Sequence, residues 1–78
     1  EQKALVFTME PNPASERVLI RSSYADCVVI LRNALGEAIY TGKHSLESEI
    51  GIRNLSPGIY FVELEGTQER GVQKLVIN

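Results

Sequence analysis

Few residues in this chain have the type and spacing that chemistry requires. A hydrolase or transferase needs a nucleophile beside a base, a pair of carboxylates or a bound metal, held together in a concave site. The single histidine, His44, falls between Lys43 and Ser45 in what reads as a turn, with no catalytic motif around it. It is expected to be an exposed loop residue rather than a general base. The single cysteine, Cys27, opens an apolar run and follows Asp26. That context suits a buried, inert thiol, since a reactive one wants basic neighbours and exposure. Glu47 and Glu49 share one strand face, as on a solvated sheet edge, and offer too few oxygens for calcium. Gly36, Gly58 and Gly71 are spaced as turn glycines and build no phosphate-cradling loop. Neither an enzyme nor a cofactor is expected.

Composition narrows the class further. A chain of 78 residues is one small domain, able to bury only about 60% of the surface its unfolded form exposes. Disulfides or a structural metal commonly support domains of this size. One cysteine and one histidine supply neither within the chain, so sheet packing must suffice. Eight basic residues against ten acidic, dispersed from Lys3 to Lys74, form no cluster of the kind that releases counterions from a phosphate backbone, and nucleic acid is not an expected partner. The longest apolar run, Cys27 to Leu31, is far below the roughly 20 residues of a membrane helix. The chain opens on Glu1 with no basic segment leading into an apolar one, which predicts a piece of a longer precursor whose export is specified elsewhere.

The elements that must position these residues read as strands throughout. Leu55-Ser56-Pro57-Gly58 is a tight turn that launches the alternating run Ile59 to Leu64, with Pro57 presetting φ and Gly58 free to take a positive one. Period two places Tyr60, Val62 and Leu64 on the core face and Ile59, Phe61 and Glu63 on the other. Tyr60 is expected to return its hydroxyl to backbone just upstream, as in the tyrosine corner of β-sandwiches. Ala4 to Met9 reads as a first strand, stopped by Pro11-Asn12-Pro13, a stiff corner in which Asn12 can bond nearby backbone. Arg17 to Arg21 is a second strand with Val18 and Ile20 inward. Cys27 to Leu31, apolar on both faces, is either a doubly covered central strand or one whose outer face meets a partner. Asn33 and Gly36 bracket a type I turn of a hairpin returning through Glu37 to Thr41. Gly42 to Ser45 turns again, Leu46 to Ile52 alternates with Ile50 and Ile52 inward, Glu65 to Gly71 is a polar loop, and Val72 to Ile77 is the last strand. About seven short strands without helical periodicity predict an all-β, antiparallel two-sheet sandwich over residues 1–78, with a closed barrel as the alternative. Val28 and Ile30, Ile59 and Phe61, and Leu75 and Ile77 then offer more apolar surface than such a core obviously needs. A last strand at a sheet edge would suit augmentation by a partner, or pairing of two copies into an edge-strand homodimer, with Lys74 as an edge or recognition residue.

Four segments in order carry a family resemblance. They are Pro11-Asn12-Pro13-Ala14-Ser15 ahead of the Val18/Ile20 strand, and Val29-x-Leu31-x-Asn33-x-x-Gly36-x-x-Ile39. Ile50-x-Ile52-x-x-Leu55-x-Pro57-Gly58-x-Tyr60-x-Val62 follows, and Lys74-Leu75-Val76-Ile77 closes the series. Together they resemble the type A C-terminal sorting domains of the type IX secretion system, with Asn33 where Asp is commoner. The resemblance implies an Ig-like sandwich that acts as an address. Its carrier would pass through the periplasm of a Gram-negative bacterium to the outer membrane and cell surface, recognised by the outer-membrane translocon and a shuttle protein. A surface sortase would commonly remove the domain and join the carrier to anionic lipopolysaccharide. The alternative is a retained Ig-like module of a machinery or surface protein that itself binds anionic lipopolysaccharide or another glycan. The resemblance assigns translocon recognition to Lys74, Leu75, Val76 and Ile77, and structural roles to Pro11, Asn12, Pro13, Gly36, Pro57, Gly58 and Tyr60.

Overall fold

The structure is a computed structural model and describes residues 3–78. Its strands are β1 (Lys3–Ala4), β2 (Phe7–Glu10), β3 (Arg17–Ser22), β4 (Cys27–Arg32), β5 (Ala38–His44), β6 (Glu47–Gly51), β7 (Gly58–Glu65) and β8 (Glu69–Ile77). They form a five-stranded sheet in the order β1-β8-β7-β4-β5 and a three-stranded sheet in the order β2-β3-β6. All pairs are antiparallel except β1 with β8. The all-β sandwich expected from the strand pattern, Ig-like as the resemblance implies, is the fold observed.

The core forms where the two inward faces meet, and the period-two reading selects its members. Val18 and Ile20 of β3, Tyr60, Val62 and Leu64 of β7, and Ile50 of β6 are all buried, joined by Cys27, Val29 and Leu31 of β4 and by Leu75 and Ile77 of β8. Each such side chain removed from water contributes about 1.5–3 kcal/mol, which lets a chain with no disulfide hold its shape. The hairpin turn is as expected: Gly36 N–H donates to Asn33 O at 2.9 Å, and Gly36 takes φ +88°. The Asn33 side-chain oxygen accepts from the Leu35 and Glu37 amides at 3.0 and 2.9 Å.

Four expectations are corrected. The strand expected over Ala4 to Met9 divides, since β1 joins β8 while Phe7 pairs with Ser22 of β3 in the other sheet. The count therefore rises to eight, and Leu5 and Phe7 both reach the core as the chain crosses between layers. The turn expected over Gly42 to Ser45 lies further on, because β5 continues through His44. The polar loop expected over Glu65 to Gly71 contracts to residues 66–68, with Gly66 N–H closing onto Glu69 O at 2.8 Å.

The fourth correction concerns the expected open edge of the last strand, where the chain covers itself. Leu5 N–H donates to Arg70 O at 3.0 Å, Ala14 N–H to Val76 O at 2.9 Å, and Asn78 N–H to Ala14 O at 2.8 Å. Asn12 fills the place of a missing strand: its amide nitrogen donates to Lys74 O and its oxygen accepts from Val76 N–H, each at 3.0 Å. Asn12, a residue that can bond nearby backbone, here satisfies a strand more than sixty residues away. Gly71 permits the close approach of the Leu5 backbone, because a Cβ there would lie 2.0 Å from Leu5 O.

Candidate functional site

The residues with catalytic potential come together only in the core. His44 is 1% exposed, which corrects its expected place in an exposed loop. On β5 it alternates inward with Tyr40 and Gly42 and lies opposite Cys27. Its Nε2 is 2.9 Å from Ser22 Oγ on β3, and its Nδ1 is 2.6 Å from Ser48 Oγ on β6. A histidine between two hydroxyls has the ingredients of base-assisted nucleophilic attack. Here the ring is sealed between the sheets, so the arrangement acts as a polar clasp that ties β5 to both β3 and β6 while satisfying both ring nitrogens. Burial lowers the His44 pKa below its ordinary value, favouring the neutral ring. Burial, together with Glu69 and Asp26, raises the Cys27 pKa, the condition of an unreactive thiol.

The residues of the family motifs take up turns and corners. Pro11, Asn12 and Pro13 form the bend between β2 and β3, with Asn12 closing onto β8. Pro57 precedes Gly58, which has φ +151° and opens β7. The Tyr60 hydroxyl donates to Ser56 O at 2.7 Å, which is the expected corner. Leu75 and Ile77 point into the core, whereas Lys74 is exposed and Val76 half-buried on the opposite side of β8. Of the four residues expected to be read by a partner, two therefore face outward.

That outward side is one sheet face, and the strand registers set it out in rows from β5 through β4 and β7 to β8. Lys43, Val28, Glu65 and Arg70 form one row, and Thr41, Ile30, Glu63 and Val72 the next. Arg32, Phe61 and Lys74 align in the third, and Ile59 and Val76 in the fourth. Val28, Ile59 and Val72 are exposed, and Ile30, Phe61 and Val76 half-buried. Next to this face, Leu35 at the hairpin tip and Ile59 line one depression with Pro57 and Tyr60.

At the centre of the face, Glu63 is buried although it points outward. Its two oxygens accept from Arg32 Nε at 3.1 Å and Arg70 Nε at 2.7 Å. Burial opposes the charged carboxylate, but the hydrogen bonds from Arg70 and Arg32 outweigh it and hold the Glu63 pKa below its usual range. This clasp was not foreseen. Its sequence signal is a glutamate within an otherwise apolar strand, and nothing local reveals the two arginines that cross to it.

Comparison with known proteins places this geometry. No curated protein matches the chain. Among solved structures, the sandwich is similar to part of PorZ, an essential bacterial surface component of the type IX secretion system of Porphyromonas gingivalis. The TM-score is 0.83 and the identity 18%, over 92% of this chain and 11% of that one. The likeness therefore concerns the fold, and this chain spans about a tenth of that protein. A family model described as a secretion system C-terminal sorting domain matches residues 8–78, from β2 through the end of β8. The chain belongs to the C-terminal sorting domain family of the type IX secretion system.

Proposed function

We propose that this domain is the address that takes a carrier protein from the periplasm across the outer membrane, and that the translocon and its shuttle read it through Lys74 and Val76. Leu75 and Ile77 serve the same signal from the other side of the strand by anchoring it to the core. The observation that carries this reading is the division of β8, in which alternate residues are buried and presented while the strand's outer edge is occupied by Asn12 and Ala14. With the backbone already paired along Lys74 to Asn78, side chains are what this segment has to offer a partner.

A reporter carrying the domain at its C-terminus tests the reading. Removing residues 74–78 should leave the reporter in the periplasm, and Lys74→Glu with Val76→Asp should do the same while the domain still resists protease. Surface export of the truncated fusion at the intact level would overturn the proposal. A second reading, a retained module that binds anionic lipopolysaccharide, is favoured by one observation: the outer face holds four of the eight basic residues but two of the ten acidic ones. Saturable binding of purified lipopolysaccharide by the purified fusion, without any translocon protein, would select it.

A further inference from the structure

The two outer faces of the sandwich are finished differently. On the three-stranded sheet the exposed side chains answer one another: Arg21 bonds Glu47 at 2.8 Å and Glu10 at 3.2 Å, and Arg17 lies 3.9 Å from Glu49. Alternating, self-neutralised charges of this kind are stable against water and ask for no partner. The five-stranded sheet carries instead an apolar band, Val28, Ile30, Ile59, Phe61, Val72 and Val76, running past the Glu63 clasp. Among the described residues neither Lys43 nor Lys74 belongs to an ion pair. They stand at diagonal corners of the face, about 20 Å apart from the strand and residue spacings of a sheet. In the middle, Glu63 holds two guanidiniums and Glu65 stands opposite Arg70, so the charges there balance and the two lysines carry the net positive charge of the face.

We propose that the outer face of the five-stranded sheet docks a protein surface with an apolar centre rimmed by carboxylates. The inference rests on the reading of the domain as a sorting address and names the chemistry of what reads it. The occupant follows from what the face leaves unmet. Its apolar band gains most from aliphatic or aromatic side chains, and its corner cations from carboxylates, which steer encounter and fix orientation. A polysaccharide would meet the charges and leave the band wet. The Glu63 clasp keeps both arginines lying across the sheet, so the face is preorganised and little side-chain entropy is lost on docking.

The test uses the carrier fusion in its secreting host. Lys43→Glu with Lys74→Glu, and separately Ile59→Ser with Val72→Ser, should each lower surface export at least tenfold and retain the carrier in the periplasm, with the domain still protease-resistant. Lys43→Arg with Lys74→Arg should export normally, and so should Arg17→Glu with Glu49→Arg on the opposite face. Normal export of both outer-face pairs, alongside abolished export on removing the whole domain, would overturn this proposal and leave the sorting role standing. Normal export without the domain would overturn the sorting role itself. If purified fusion binds purified lipopolysaccharide saturably and Lys43→Glu with Lys74→Glu abolishes that binding, or if sedimentation shows a dimer that those substitutions dissociate, the occupant is a glycan or a second copy and the proposal fails.

Discussion

His44 makes the stability of this domain sensitive to mild acid. It is the only histidine, so no other side chain has an ordinary pKa between pH 5 and 8. Burial between the sheets lowers its folded pKa, while in the unfolded chain it regains a value near 6.5. Because the fold prefers the neutral ring, the full contribution is present above the unfolded pKa and is lost as pH falls toward the folded one. If the folded ring stays neutral, acidification from pH 7 to pH 5.5 costs at most about 1.3 kcal/mol, a fall in Tm of roughly 5–10 °C for a domain of this size. The ordinary carboxylate range lies below this window, and Glu63 is held lower still by its arginines. Thermal unfolding followed by circular dichroism across pH 8 to 5, for the domain and for His44→Gln, checks the effect. The substituted protein should be less stable at pH 7.5 but flat through the window. A wild-type Tm that does not change between pH 7.5 and 5.5, or an equal slope in His44→Gln, would refute the reasoning.

Three further outcomes follow from single contacts. Leu75→Ala should destabilise by about 2–5 kcal/mol as a core truncation, whereas Lys74→Ala next to it should stay within about 0.5 kcal/mol; denaturant midpoints measure both. Gly71→Ala brings a Cβ against Leu5 O and should cost about 1–3 kcal/mol, with faster amide exchange at Leu5 as the strand beside β8 is pushed off. Leu46 is half exposed at φ +68°, a backbone conformation that disfavours Leu and suits Asn, so Leu46→Asn should raise stability by about 0.5–1 kcal/mol in the same unfolding assay.

Local sequence carried the parts of this structure that local physics decides. Alternation identified Val18 and Ile20, and Tyr60, Val62 and Leu64, as inward residues, because a strand with one buried face cannot slip register without exposing it. Turn chemistry located Asn33 to Gly36 and the Tyr60 corner. What escaped depends on partners remote in the chain. The division at Leu5 and Val6 is silent because both halves are β-rich and both send a residue inward, to different sheets. His44 reads as a loop residue until Ser22 and Ser48 are known to converge on it. Glu63 reads as solvated until Arg32 and Arg70 cross to it from neighbouring strands. The covering of β8 depends on Asn12, and no periodicity within either segment announces it.

How the sheet edges are treated bears on how such a domain can be read. The β8 edge is paired with the chain's own Leu5, Asn12 and Ala14. The opposite edge, β5, is interrupted where Leu31 faces Tyr40 but Arg32 faces Ala38, leaving Ile39 as an extra residue. A bulge increases local twist, and Lys43 adds a charge near the strand's end; both discourage a second strand from adding on. A small β domain gains from this treatment, because neither edge of this sheet invites templated aggregation. It also limits what a receptor can use. With one edge of this sheet filled and the other bent, its backbone hydrogen bonds are a poor basis for recognition, which supports the proposed reading through side chains. The apolar band and its cations are the part of the surface that the fold itself leaves unanswered.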